Sequence, residues 1–270
     1  MIRTTLVVLA MTVIIPTWAY CQLRTYVQLS SDRVIHYVIT DPLGRRTGCD
    51  PRGAADRLLG RYIEEIPGAN YSVNAIGDAP VDNQPLESDI SHEFVYTIRS
   101  PENDGNYAIE CIGINTGRYG LSTLFSPHEE AHMKSFDTTL VGLIDQDSVV
   151  TYRFEFRGSA GVFVPPVKQV SFSVLRNDIR IAFTLDLLGD EHLRDKLLSG
   201  VDKCEKRLGK KKEDSADVRR DLEKLADDLS KERQETAKHE ERKQKEKRFI
   251  SKDAFEILTQ DVALLLKQFP

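Results

Sequence analysis

A chain of 270 residues with 40% hydrophobic and 29% charged side chains carries enough apolar material for a packed core. This excludes an intrinsically disordered, collagen-like or polytopic membrane protein, and the length suits one large or two small domains. The formal net charge of -5, from 37 Lys and Arg against 42 Asp and Glu, provides no global basic field, so nucleic acid is not an expected partner.

Residues 1–19 read as a secretory signal peptide. Arg3 supplies the positive start, Leu6 to Ile15 the apolar run, and Ala19 the small residue before a cut that leaves Tyr20 first. The run is too short to cross about 30 Å of hydrocarbon, and polar sequence follows it, so no transmembrane span is expected after leader removal. A lipoprotein would use Cys21, but Tyr20 is the wrong size for the residue before an acylated cysteine. The expected destination is secreted, periplasmic or cell-surface. There Cys21, Cys49, Cys111 and Cys204 become candidate disulfide partners, and the absence of C-x-x-C argues against a zinc ribbon or thioredoxin-type site. Cys111 shares the inward phase of a predicted strand with Tyr107 and Ile109, and Cys49 ends another strand. Cys49 with Cys111 is the candidate disulfide; buried free thiols are the alternative.

From Tyr26 to Leu185 the pattern is short, alternating and rich in β-branched and aromatic residues. It predicts strands over residues 34–40, 93–99, 105–113, 118–125, 138–144, 148–156 and 170–175. The turn Asp41-Pro42-Leu43-Gly44 stops the first of these, since Pro fixes φ and Gly accepts a positive one. His36 falls opposite in phase to Ile35 and Tyr37 and reads as an exposed or satisfied structural histidine. The stretch from Gly53 to Pro85 has weak periodicity and reads as a long excursion with one short helix near residues 54–59. The expectation is an antiparallel β-sandwich over residues 20–185.

After Asp186 the period changes to three and four. Leu193, Leu197, Val201, Cys204 and Leu208 form one stripe; Val218, Leu222, Leu225 and Leu229 form a second; Ala254, Ile257, Leu258, Val262 and Leu265 form a third. Asp214 or Ser215 and then Ser251 are the expected caps, and Gly209 closes the first helix. Three one-sided helices bury those sides together, which predicts a small antiparallel bundle or hairpin over residues 186–270. The fold class expected is therefore mainly β plus α. The tract 231–248 interleaves Lys and Arg with Glu and reads as a solvated helix face rather than a coiled-coil seam, because the apolar positions stop near Leu229. Lys210-Lys211-Lys212 runs straight into Glu213 and Asp214, which weakens it as a basic patch.

One motif names a chemistry. His128-Glu129-Glu130-Ala131-His132 matches H-E-x-x-H, which on a helix sets two imidazoles on one face for Zn²⁺ with Glu129 as general base. Against it, Pro127, Glu130 and Lys134 are unlike the apolar surroundings of a zincin helix, predicted strands flank it closely, and no third ligand follows at a suitable spacing; Glu155 sits on a predicted strand. No G-x-S-x-G elbow, P-loop or dinucleotide fingerprint occurs, and Glu64-Glu65 is a carboxylate pair of the kind any acidic protein contains.

The run Asp41-Pro42-Leu43-Gly44-Arg45-Arg46-Thr47-Gly48, then Asp104-Gly105-Asn106-Tyr107, Ile109 and Gly113, then Gly117-Arg118-Tyr119-Gly120-Leu121, resembles bacterial extracellular modules related to the pre-peptidase C-terminal domain. The likeness spans about residues 34–156. It implies a β-sandwich that is not itself catalytic and serves solubility, surface contact or display. Some relatives hold calcium through acidic loops; Asp41, Asp50 and Asp104 are the comparable residues here, without a D-x-D-x-D ladder. The long insertion from Gly53 to Pro85 and Cys49 depart from the pattern. Lys196-Leu197-Leu198 with Val201-Asp202, the Leu222, Leu225 and Leu229 stripe, and Ile250-Ser251 with Asp253-Ala254 resemble the small helical module called FIMAH that closes many bacterial secreted or surface proteins. That family carries no assigned chemistry, so the resemblance implies architecture and location.

The functional expectation is an exported, non-enzymatic binding, display or accessory protein without a cofactor, acting on an unidentified protein or surface partner, its helical end a candidate for self-association. The alternative is a secreted zinc-dependent hydrolase using His128, Glu129 and His132. A carbohydrate-binding module is the weaker third reading, because the one Trp, Trp18, lies in the leader.

Overall fold

The computed structural model describes residues 26–32, 34–76, 91–99, 104–126, 136–157, 162–208, 215–241 and 249–269. Its strands are β1 (Tyr26–Ser31), β2 (Ile35–Thr40), β3 (Arg46–Asp50), β4 (Arg61–Glu64), β5 (Ala69–Ile76), β6 (Ser91–Arg99), β7 (Gly105–Gly113), β8 (Gly117–Ser126), β9 (Phe136–Ile144), β10 (Val149–Arg157) and β11 (Val162–Lys168). Its helices are α1 (Phe172–Thr184), α2 (Glu191–Leu208), α3 (Ser215–Glu241) and α4 (Lys252–Leu266).

The strands form two antiparallel sheets, one ordered β5-β6-β1-β8-β9 and the other β11-β10-β7-β2-β3-β4. Alternation sets which side chains enter the interior. On β10, Val150, Tyr152, Phe154 and Phe156 are buried while the residues between them are more exposed. Both sheets supply one apolar cluster: Val27, Leu29, Tyr119, Leu121 and Phe125 come from the first, and Ile35, Tyr37, Ile39, Tyr107, Ile109 and Tyr152 from the second. Each such side chain contributes about 1.5–3 kcal/mol by leaving water. Polar tips within the cluster are satisfied across it. The Tyr37 hydroxyl donates to the Leu29 carbonyl at 2.8 Å, and the Tyr119 and Tyr152 hydroxyls meet at 2.7 Å.

A second apolar cluster lies among the helices and contains the predicted stripes except Leu208, which is 48% exposed, together with residues of α1. It also contains Leu143 of β9, which carries it onto the first sheet. A salt bridge from Arg118 of β8 to Asp253 of α4, 3.3 Å long, is a polar tie between strands and helices, and Gln268 Nε2 donates to the Val170 carbonyl in the connection from β11 to α1.

Four expectations are corrected. The strand expected over residues 170–175 is the start of helix α1, so the described residues contain four helices. Val170, Phe172 and Val174 mimic a strand over a few residues, but Phe172, Leu175, Ile179 and Ala182 form a buried helical stripe. Ser171 caps it, its hydroxyl accepting from the Val174 N–H at 3.3 Å. The short helix expected near residues 54–59 is instead a set of tight turns closed by the Gly60 N–H on the Asp56 carbonyl at 2.9 Å. The stretch read as an excursion contains β4 and β5, one on each sheet. Gly60 makes the turn into β4 at φ +57, and a Cβ there would collide with the Cys49 thiol.

The fourth concerns the cysteines. Cys49, Cys111 and Cys204 are buried free thiols. Cys111 faces Tyr37 of β2, and Cys49 follows the Gly48 that faces Val38, so β2 runs between them. Two strand spacings, about 9.5 Å, exceed the about 7 Å that a disulfide spans.

Among the described residues no helix is long and apolar enough to cross a membrane. Helix α3 has 27 residues and is charged over its last turns, where Lys238 pairs with Glu235 at 2.6 Å.

Candidate functional site

Strand β11 is an edge strand carrying Pro165-Pro166, and its pairing with β10 shifts register between Arg153 and Glu155. Proline cannot donate to a ladder, and an edge with a bulge tolerates it. The strand then delivers Lys168, opposite Tyr152, into the interior. There Lys168 Nζ lies 2.6 Å from Asp178 Oδ2 on α1 and 2.8 and 2.9 Å from the two carboxyl oxygens of Asp261 on α4. Side-chain exposures are 3% for Lys168 and 1% for each Asp, so water is excluded.

One ammonium faces two acids in a low-dielectric pocket, which cannot carry the unbalanced charge of two carboxylates. Burial drives the Asp178 carboxyl well above the usual carboxylate range, and its hydrogen bond and proximity to Asp261 add to the rise against the pull of Lys168. Burial works to lower the Lys168 ammonium, but the charges and hydrogen bonds of Asp178 and Asp261 reverse this and leave it above the ordinary lysine range. Both acids thus share one buried ammonium, and burial favours the protonated form of Asp178. The Tyr119–Tyr152 hydroxyl pair adjoins it, both phenols raised well above their usual range first by burial and with Asp178 among the charges they feel.

Sequence reasoning missed all three residues of this cluster. A signal existed: Asp178 lies three residues after Leu175 and four before Ala182, and Asp261 lies three after Leu258 and four before Leu265, so each carboxylate occupies an apolar stripe.

His36 is fully buried, a satisfied structural histidine. Nε2 donates to the carbonyls of Arg57 and Leu58 at 3.0 and 2.9 Å, which leaves Nδ1 to accept from the Tyr71 hydroxyl at 2.6 Å. Burial lowers its pKa, partly opposed by those two carbonyls and by Asp50. The histidine thereby pins the turns of residues 51–60, which Arg57 also ties to Asp147 at 2.7 and 2.8 Å.

Of the calcium candidates Asp41, Asp50 and Asp104, the first two are not grouped. Asp41 and Asp50 lie beyond and at opposite ends of β3, and both are already engaged. Asp41 Oδ1 accepts from the backbone N–H groups of Leu43 and Arg45 at 2.9 Å each, and Oδ2 takes the Arg45 guanidinium at 2.7 Å. Asp50 accepts from Arg52, which holds its carboxyl below the usual range. Among the described residues no group of three His, Cys, Asp or Glu side chains is placed to hold a metal ion.

The Asp41 turn has a second property. With Gly44 at φ +81 and Asp41 gripping the backbone, the turn is rigid, yet Leu43 is 67% exposed at its tip. Helices pack near the Gly117 and Ile144 ends of β8 and β9, whereas the turn follows Thr40, near the end where Phe125 meets Phe156. Leu43 is thus displayed away from the helices. His128, Glu129 and His132 fall in the connection from β8 to β9, outside the described residues.

A groove of about 590 Å³ along α2 includes Asp202, Lys203 and Arg207, whose charges are spent on Arg176 and Asp221 at 2.7–2.9 Å; it is a solvated helix face. Comparison with protein-family models, curated proteins and solved structures finds no match to the chain.

Proposed function

We propose that the chain is an exported, non-enzymatic binding or display protein, in which a β-sandwich presents loops for recognition and a C-terminal antiparallel helical bundle carries it. The single apolar cluster fed by both sheets supports the sandwich reading, and the four interlocked stripes support the bundle. This is the arrangement implied by the resemblance to pre-peptidase C-terminal and FIMAH-type modules, and secretion rests on the leader at residues 1–19.

The observation that carries the binding reading is Leu43. A large apolar side chain held in solvent by a turn whose backbone is already ordered costs little entropy to engage, and its burial by a partner is worth about 1.5–3 kcal/mol. The charged cluster around Lys168 is sealed from solvent and serves the joint between strands and helices, so a partner meets the sheet ends instead.

The test is retention of the mature chain on immobilised cell-envelope fractions and insoluble polysaccharides, compared with Leu43→Ser. The expected result is retention weakened about tenfold or more by the substitution, following the transfer energy of leucine. Equal retention of both proteins on every support, or metal-dependent peptide hydrolysis abolished by Glu129→Gln, overturns the reading.

A further inference from the structure

The Lys168 cluster satisfies electrostatics, and it also satisfies the geometry of a reaction. Nζ lies 2.6 Å from Asp178 Oδ2, in direct contact with the carboxyl group whose carbon it would attack. Both oxygens of Asp261 hold the same nitrogen from α4, at 2.8 and 2.9 Å. All three side chains are sealed, with exposures of 3% and 1%, and the neighbouring tyrosine hydroxyls of β8 and β10 are occupied with each other. We propose that Lys168 and Asp178 join in an intramolecular amide bond, with Asp261 as the proton relay that forms it.

The step balances without an oxidant or cofactor. Asp261 takes a proton from the ammonium, turning a buried ion pair into two neutral groups, an exchange that desolvation favours. The freed amine lone pair adds to the carboxyl carbon of neutral Asp178. Through Asp261 a proton moves from nitrogen to the departing hydroxyl, the C–O bond breaks, and one water leaves. The products are the amide, water and a neutral Asp261 that can hydrogen-bond the new carbonyl. Positioning supplies the driving force that solution lacks, since effective molarities of about 10⁵ M or more are reached when reacting groups are so held.

The bond would tie the end of an edge strand to the first helix at the joint between strands and helices. In a chain whose described cysteines remain free thiols, it would supply a covalent staple that needs no oxidising compartment. It does not depend on the binding role proposed above.

Mass spectrometry of the purified full chain, its N-terminus first established by sequencing, decides the matter. The expected mass is one water below that of the sequence, with no tryptic cut after Lys168 and fragment ions branching between Lys168 and Asp178. In Asp261→Asn, judged folded by circular dichroism, the bond should form at least about 100-fold more slowly, the contribution of a positioned proton carrier. A wild-type chain of full mass, cut after Lys168, overturns the proposal, and undiminished bond formation in Asp261→Asn overturns the relay.

Discussion

His36 shows how a polar side chain can be buried without a functional duty. Its two ring nitrogens are used up by Tyr71 and two backbone carbonyls, and burial favours the neutral ring. An unfolded chain takes up a proton on this residue as pH falls below about 6.5, and the folded chain declines it, so stability is complete above that pH and is lost on acidification by up to about 1.4 kcal/mol per pH unit. Urea midpoints for wild type and His36→Gln at pH 7 and pH 5 should show the smaller loss on acidification in the variant. An equal loss in both would remove His36 as the source. Lys168 is the harsher case. Lys168→Met strands two acids in the interior and should cost about 3–5 kcal/mol or more, while also replacing Asp178 and Asp261 by leucine should recover the part due to the unpaired acids and not the part due to the lost Lys168–Asp178 bond. Denaturation midpoints of the two variants make the comparison.

At the scale of elements, capping and close approach decide which segments become what. Helix α1 depends on Ser171 and α4 on Ser251, whose hydroxyl accepts from the Ala254 N–H at 3.1 Å. Ser171→Ala should cost about 1 kcal/mol, read as a lower urea midpoint, and Ser171→Asp should not. The β3–β4 connection depends on Gly60, where positive φ and the Cys49 thiol both exclude a side chain. Gly60→Ala should destabilise by about 2–3 kcal/mol through backbone strain and overpacking. Adding Cys49→Ala should return part of that loss, and a double-mutant cycle without coupling would show that the contact is unimportant. The Cys49 thiol itself, pushed up to about 12 first by burial and then by Asp50, should resist alkylation until the chain unfolds.

For the whole molecule, the joint between strands and helices sets cooperativity. Leu143, the Arg118–Asp253 pair and the Lys168 cluster cross it. Strand and helix regions should therefore unfold in one transition, with tyrosine absorbance and far-ultraviolet circular dichroism superimposing, because removing either part exposes apolar surface and charge from the other. Two separated transitions in the wild type would show that the joint is weak. The one Trp of the sequence, Trp18, lies outside the described residues, which makes tyrosine the optical probe of the described tertiary structure.

The amino-acid sequence by itself determined the features that belong to single segments. Alternation on β7 and β10, the proline-glycine turn after Thr40 and the three stripes of α2, α3 and α4 are each written within a short stretch of chain, because one buried face imposes its period locally. Where two periods overlap, as at Val170 to Leu175, a short window misreads the segment, and the longer stripe of α1 settles it only once the partner helices are present to bury it. Tertiary structure alone decided the rest. Cys49 and Cys111 share an inward phase, yet an intervening strand separates them; Asp41 and Asp50 share a chemistry, yet lie far apart along β3. Asp178 and Asp261 each interrupt an apolar stripe, but only the meeting of one strand with two helices brings them to Lys168 and strips all three of water. Contact between distant charges depends on how elements dock, and the energy of removing those charges from solvent is a property of the assembled interior.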